Sequence, residues 1–168
     1  MELQTGNFVI YRSTEICRIE GFENKSFDNV TCKEYCVLVP ADGGSARYYV
    51  PREFAEAKLR RLLTKDEIHQ LIDGMKGEQP DWGNNEDRRK DVFNEILNSG
   101  DHRRIISMLH SLYLEKQERL SQGKKLLAAD EKAMKAAEAL IDHEFSFVLG
   151  IPQNEVAKYI SAQLGKTE

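Results

Sequence analysis

The residues best suited to contact an anionic partner lie in one short stretch, where the only tryptophan precedes three basic side chains. Trp82 stands in a polar segment, and Arg88-Arg89-Lys90 follow it closely. An exposed ring beside such cations can wedge against a base step in the minor groove of DNA while the cations hold phosphates. Equally, the ring could pack as a lid over a core, with the cations on an ordinary solvated helix face. Residue types and spacing leave both interpretations open.

A second candidate for binding is the strand-like segment Arg47-Tyr48-Tyr49, just before Val50. Side chains alternate in a strand, so one tyrosine should face the interior and its neighbour should face outward. An exposed edge strand carrying an aromatic ring and an arginine can pair with the sheet of a partner protein. A tyrosine exposed singly, without a partner, fits the pattern equally well.

No group of residues typical of an enzyme active site is recognisable. The chain contains no phosphate-binding glycine loop after a strand, no Gly-x-Ser-x-Gly motif and no His-Glu-x-x-His motif. His102 and His110 share one predicted helix, but no carboxylate beside them completes a metal site, which favours solvated or interfacial imidazoles. We therefore predict a protein that is not an enzyme and that uses no metal and no cofactor.

The chain has three cysteines, Cys17, Cys32 and Cys36. They are not accompanied by histidines at the spacing of a zinc site. Cysteines of this kind are commonly buried, so we predict three free buried thiols.

The formal net charge is -4, which argues against a protein held on nucleic acid by overall positive charge. The charges of residues 1–62 balance, so the acidic excess lies in the remainder of the chain. Within that remainder, residues 102–125 are locally basic. Any contact with DNA should therefore depend on local patches.

The elements that would position these residues change type near Leu63. Short apolar runs at 8–11, 16–19, 35–39 and 48–50 predict antiparallel strands, with a turn at Gly43-Gly44. Four or five such strands favour a small, partly open barrel, because a sheet of this size must bury its inner face.

From Leu63 onward the apolar spacing is helical and predicts about five helices. Thr64 and Glu67 form a capping box for the first, Asp101 caps the third, and Gly150 ends the fourth. The predicted fold class is α+β, with domains at residues 1–62 and 63–168. No stretch is long and apolar enough to cross a bilayer and no secretory signal begins the chain, so we expect a cytoplasmic monomer without membrane contact.

An ordered set of short motifs, spread over nearly the whole chain, resembles the CarD (CdnL) family of bacterial transcription regulators. In the first half these motifs are Gly6-Asn7-x-Val9-x-Tyr11, Tyr35-x-Val37-Leu38, Val50-Pro51 and Leu59-Arg60. In the second half they are Trp82, Ile96-Leu97-x-Ser99-Gly100-Asp101, Leu112-Tyr113, Lys124-Lys125-Leu126, Asp130-Glu131-x-x-Met134, Glu144-Phe145 and Val148-Leu149-Gly150. The segment Tyr11-Arg12-Ser13-Thr14-Glu15 departs from the family pattern, as does Tyr49 where some members carry arginine.

The resemblance implies a Tudor-like N-terminal domain that docks on the β subunit of RNA polymerase and a helical domain that contacts promoter DNA. It implies that Trp82 is the minor-groove wedge, that Arg88 and Arg89 contact phosphates, and that Lys132 is a further basic DNA-binding position. Lys90 completes the basic triplet of this predicted DNA surface. For polymerase docking, the resemblance implicates Lys25 and the strand Arg47-Tyr48-Tyr49.

The sequence therefore predicts a regulator that stabilises the promoter open complex through weak DNA contacts that do not depend on base sequence. The alternative is a protein-protein adaptor whose helical domain binds another protein, with Trp82 as an interface anchor.

Overall fold

The computed structural model describes residues 2–12, 14–75 and 86–165. The chain divides into two compact units, Met1–Leu62 and Leu63–Glu168. The first is built on a sheet and the second is helical, so the chain has a mixed α+β fold. Within the described residues, no helix combines the length and the apolar character required to cross a membrane.

The first unit contains an antiparallel sheet of five strands in the order β4-β3-β2-β1-β5. The strands are β1 (Phe8–Tyr11), β2 (Glu15–Lys25), β3 (Lys33–Pro40), β4 (Tyr48–Pro51) and β5 (Leu59–Arg61). The sheet is open, with β4 and β5 as its edge strands, so the predicted barrel is not confirmed. Side chains from all five strands, together with Ala55 from the segment between β4 and β5, form a small apolar core: Val9, Cys17, Ile19, Cys36, Leu38, Val50, Ala55 and Leu59.

The turns of the sheet depend on local hydrogen bonds. Between β3 and β4, Gly43 has a φ of 85° and the Asp42 carboxylate accepts the backbone N–H of Gly44 at 3.0 Å. Between β2 and β3, the Asp28 carboxylate accepts the N–H groups of Val30 and Thr31 at 2.9 and 2.7 Å. Short polar side chains of this kind replace the hydrogen bonds that the backbone loses at a turn.

One helix of the sheet unit is absent from the sequence prediction. The segment between β4 and β5 forms helix α1 (Arg52–Lys58) instead of continuing as strand. Its sequence, REFAEAK, is rich in the strong helix formers alanine, glutamate and lysine. Ala55 alone is buried from this helix, so its apolar pattern is too sparse to show helical periodicity.

The described part of the second unit contains five α-helices, as predicted, and one short 3-10 turn at Gln153–Glu155. The helices are α2 (Lys65–Asp73), α3 (Glu86–Asn98), α4 (His102–Ser121), α5 (Ala128–Leu149) and α6 (Val156–Gly165). They pack around a core whose fully buried members include Ile68, Ile72, Ile106, Met108, Leu109, Leu112, Ile141, Phe145 and Ile160.

The predicted helix boundaries are supported by caps. Both bonds of the Thr64–Glu67 capping box form, at 3.1 and 3.3 Å, and the Asp101 side chain accepts backbone N–H groups at the start of α4. Gly150 ends α5 in the left-handed conformation, with a φ of 70°. Each polar N-cap contributes about 0.5–2 kcal/mol to helix stability.

Candidate partner-binding surfaces

Three of the four residues predicted to bind polymerase come together on one face of the sheet. The Lys25 ammonium donates a hydrogen bond to the Tyr49 hydroxyl at 3.0 Å and lies 4.3 Å from the centre of the Tyr49 ring. The Arg47 guanidinium carbon lies 5.8 Å from the same ring centre. The hydrogen bond to Tyr49 is the main reason that the pKa of Lys25 is raised.

Tyr48, the fourth predicted residue, faces the other side of the sheet. Its hydroxyl donates to the Glu15 carboxylate at 2.7 Å, and its ring centre lies 5.3 Å from that of Tyr11. The hydrogen bond to Glu15 raises the pKa of Tyr48. In the β3–β4 register, Leu38 pairs with Tyr48 and Val37 pairs with Tyr49, which places the two tyrosines on opposite faces.

Two further aromatic residues extend the face around Tyr49, where Tyr35 and Tyr49 are half-buried and Phe27 is exposed. The ring centre of Phe27 lies 5.1 Å from that of Tyr35 and 5.5 Å from that of Tyr49, with edge-to-face geometry in both pairs. Phe27 is 63% exposed. We call Phe27, Tyr35 and Tyr49 the aromatic cluster. Sequence reasoning missed Phe27 and Tyr35. Tyr35 lies two residues before Val37 on β3, so it is on the same face of the sheet as Val37, which pairs with Tyr49.

The cations beside the aromatic cluster are paired with exposed acids. Arg47 lies 2.7 Å from Glu20 and 3.4 Å from Glu23, and Lys25 lies 3.7 Å from Glu23. Ion pairs this exposed contribute only about 0–1 kcal/mol each. A partner that offers its own carboxylates could therefore replace these internal pairs at little cost.

On the helical unit, two predicted DNA-binding residues line the same groove. Lys90 from α3 and Lys132 from α5 line a cavity of about 420 Å³ between these helices. Its other lining residues are largely apolar: Phe93, Asn94, Leu97, Ala128, Ala129, Ala133 and Ala136. We call this the α3–α5 groove. It lies beside the first turn of α5, where the helix dipole adds partial positive charge.

Arg89 is placed differently from its neighbours in the basic triplet. Arg88 and Lys90 are exposed, whereas the Arg89 side chain is only 17% exposed. Its guanidinium nitrogen Nη2 lies 2.7 Å from Glu115 on α4 and 2.9 Å from Asp130 on α5. The sequence prediction treated Arg89 as a phosphate contact and identified neither carboxylate as its partner. Trp82, the predicted wedge, lies outside the described residues.

The predicted thiols and imidazoles differ from expectation at two positions. Cys17 and Cys36 are buried, but Cys32 is exposed, so the prediction of three buried thiols is wrong for Cys32. It precedes β3 and contributes nothing to the sheet core. His102 does have a carboxylate nearby, because Glu144 from α5 lies 3.8 Å away.

Two buried groups of the helical unit have shifted pKa values. Burial, aided by Glu138, raises the pKa of Asp142 to about 7, and burial lowers the pKa of His110. Across the described ranges, no three of the His, Cys, Asp and Glu side chains are grouped closely enough to hold a metal ion.

Comparison of the chain with protein-family models and with curated proteins finds no match.

Proposed function

We propose that this chain is a bacterial transcription regulator of the CarD type, which binds RNA polymerase through its sheet unit and promoter DNA through its helical unit. In this proposal the sheet unit is a Tudor-like domain that docks on the β subunit. The helical unit lies at the upstream edge of the transcription bubble and slows closure of the open complex. The protein acts in the cytoplasm.

The observation that carries the proposal is the α3–α5 groove. Lys90 and Lys132 are distant in the sequence and line one groove. Lys132 was assigned to DNA from the resemblance, and Lys90 as part of the basic triplet. Two lysines and a helix N-terminus around a shallow apolar floor suit a sugar-phosphate backbone, whose phosphates accept from the cations while its sugars contact apolar atoms. Such contacts carry no information about base sequence.

The sheet edge supports the polymerase half of the proposal. Within the part of the chain that the structure describes, strand β4 pairs only with β3, which leaves its outer edge available to a strand from a partner. Tyr49 lies on that strand, and Lys25, Arg47, Phe27 and Tyr35 lie around its ring. Aromatic residues and arginine are the types that most often dominate the binding energy of protein interfaces.

The net charge of -4 predicts weak binding to DNA in isolation. Docking on polymerase would raise the local concentration of the helical unit at the promoter, so weak contacts would suffice. The proposal therefore requires both units in one chain.

The test is the lifetime of polymerase–promoter open complexes challenged with a competitor, with and without the chain. The wild-type chain is expected to lengthen the lifetime, and a variant with Lys90→Ala and Lys132→Ala is expected to lose most of that effect. Lys158→Ala is the matched control, because Lys158 is exposed on α6 and does not line the groove.

If the wild-type chain binds polymerase but leaves the lifetime of the open complex unchanged, the DNA role is rejected and the adaptor alternative is supported. Failure to capture the β subunit at low salt would reject the polymerase role. Trp82→Ala tests the wedge in the same assay, where it is expected to shorten the lifetime.

A further inference from the structure

We propose that Arg89 is a positioning residue that sets the width of the α3–α5 groove, and that it does not contact phosphate. This inference rests on the proposed function, since the groove is the surface assigned to DNA. It changes the role that the family resemblance implies for Arg89.

The geometry joins three helices at one guanidinium. Arg89 comes from α3, and its two carboxylate partners, Glu115 and Asp130, come from α4 and α5. Asp130 is only 2% exposed at its side chain, so this carboxylate depends on an internal cation. The guanidinium carbon also lies 5.7 Å from the centre of the Phe93 ring, which lines the groove.

The charge around Arg89 opposes a phosphate at this position. Two carboxylates face the Arg89 guanidinium, so these three groups together carry a net negative charge. A phosphate reaching Arg89 would have to displace Glu115 or Asp130 and leave a carboxylate in a poorly hydrated place beside another anion. Lys90 and Arg88 are exposed and meet no such obstacle from burial.

The position of the ion pair in the two helices explains what it controls. Arg89 directly precedes Lys90 on α3, and Asp130 lies two residues before Lys132 on α5. The Arg89–Asp130 pair therefore ties the helices together at the level of both groove lysines. Loss of the tie should let α3 and α5 separate there, which would alter the spacing of the cations presented to the backbone of DNA.

The test compares three variants for binding to a fluorescent promoter duplex at several salt concentrations. Arg89→Met removes the cation and is expected to weaken binding roughly tenfold at low salt. Arg89→Lys keeps a charge that can contact phosphate but cannot bridge two carboxylates as a planar guanidinium does, so it should weaken binding nearly as much. The double variant Arg89→Met with Asp130→Asn also removes the buried negative charge that Arg89 balanced, and it is expected to restore most of the affinity.

A phosphate contact predicts the opposite pattern. Arg89→Lys would then bind nearly as well as wild type, and the double variant would be no better than Arg89→Met. The salt dependence separates the roles as well, because loss of one phosphate contact lowers the slope of log K against log salt by about 0.9. For a positioning residue, the double variant keeps the wild-type slope.

A distance measurement makes the inference independent of DNA binding. Spin labels at Lys90→Cys and Lys132→Cys, in a Cys32→Ser background, are expected to give a longer or broader distance distribution with Arg89→Met and a wild-type distribution with the double variant. An unchanged distribution with Arg89→Met overturns the inference. If the wild-type chain neither binds DNA nor lengthens the open-complex lifetime while the distances behave as expected, the proposed function fails and the positioning role stands.

Discussion

The buried carboxylate of Glu144 accepts a hydrogen bond from the backbone N–H of Leu63 at 2.8 Å. Leu63 is the first residue of the helical unit, and Glu144 lies in α5, the longest of its described helices. Glu144 is only 4% exposed, so this bond satisfies a backbone donor in a place where water cannot easily replace it. The start of the unit is thereby attached to its central helix.

Glu144→Ala is expected to lower the free energy of unfolding of the helical unit by about 1–3 kcal/mol, because it leaves the Leu63 donor without its acceptor. Glu144→Gln retains an amide oxygen that can accept the same bond and is expected to lose much less. Urea denaturation followed by far-UV circular dichroism measures both variants. Equal losses in the two variants would show that the charge of Glu144, and not its acceptor role, is what matters.

Asp142 should make the stability of the helical unit depend on pH. Its side chain is 9% exposed, its Oδ1 has no hydrogen-bond partner in the described structure, and burial raises its pKa from 3.8 to about 7. The folded state therefore binds this proton more tightly than the unfolded state. The contribution of protonated Asp142 to the free energy of unfolding is complete at pH values below the pKa of Asp142 in the unfolded chain. It is lost as the pH rises towards the pKa of Asp142 in the folded protein.

Asp142→Asn is expected to remove this dependence and to stabilise the unit at about pH 8 by up to roughly 4 kcal/mol. Thermal or urea unfolding between about pH 5 and pH 8 measures the effect. Glu138→Gln should lower the pKa of Asp142 and reduce the dependence without abolishing it, because the Glu138 charge is the smaller of the two causes. If the stability of the wild type did not fall relative to that of Asp142→Asn as the pH rises over this range, the role of Asp142 would be contradicted.

Substitutions of Tyr48 and Tyr49 should have different effects on protein stability and on polymerase docking. Tyr49→Ala removes the ring that Lys25 and Arg47 contact and is expected to weaken binding of the β subunit at least about tenfold. Tyr48→Ala removes packing against Tyr11 on the opposite face. It should therefore lower the thermal stability of the protein but have little effect on the affinity for the β subunit. Binding is measured by titration with an isolated β-subunit fragment.

Lys58→Ala is the control for the docking experiment, because Lys58 is exposed on α1 and is not part of the aromatic cluster. If Tyr48→Ala weakens docking as much as Tyr49→Ala in folded protein, the aromatic cluster is not the docking face.

The thiols should react in two classes. Cys32 is exposed and is expected to react rapidly with a thiol reagent in native protein, whereas Cys17 and Cys36 are buried and should react only after unfolding. Burial, with smaller contributions from Glu15 and Asp42, also raises the pKa of Cys17 to about 11, which suppresses its reactive thiolate. Cys32→Ser should abolish the fast phase, and a fast phase that persists would contradict this assignment.

Features that depend on neighbours in the chain were predictable from the sequence. The Thr64–Glu67 capping box, the Asp101 cap, the turn at Gly43 and the end of α5 at Gly150 all involve residues within a few positions of each other. Helix α1 is the exception. Its helix-forming composition was outweighed by the strand pattern on both sides, because a single buried alanine leaves no apolar period to detect.

The candidate surfaces were predictable only in part. Alternation requires the two tyrosines to lie on opposite faces, but the register of β4 on β3 decides that Tyr49 shares its face with Val37 and Tyr35, and Tyr48 shares its face with Leu38. The groove lysines were assigned one by one, and their common location follows from the packing of α3 on α5. Arg89 looked equivalent to Arg88 because its carboxylate partners lie on two other helices.

By itself, the sequence determined the order and type of most elements, their caps and turns, and the change from strand to helix near Leu63, since these follow from hydrogen bonds and periodicities within a few residues. Tertiary structure alone decided that the sheet stays open, that Lys25, Arg47 and Tyr49 share a face, and that Arg89 is held by Glu115 and Asp130. Those relationships join residues that are distant in the chain, so no local pattern reveals them. Arg89 resembled a surface contact in the sequence, but in the folded unit it is largely buried and bridges three helices.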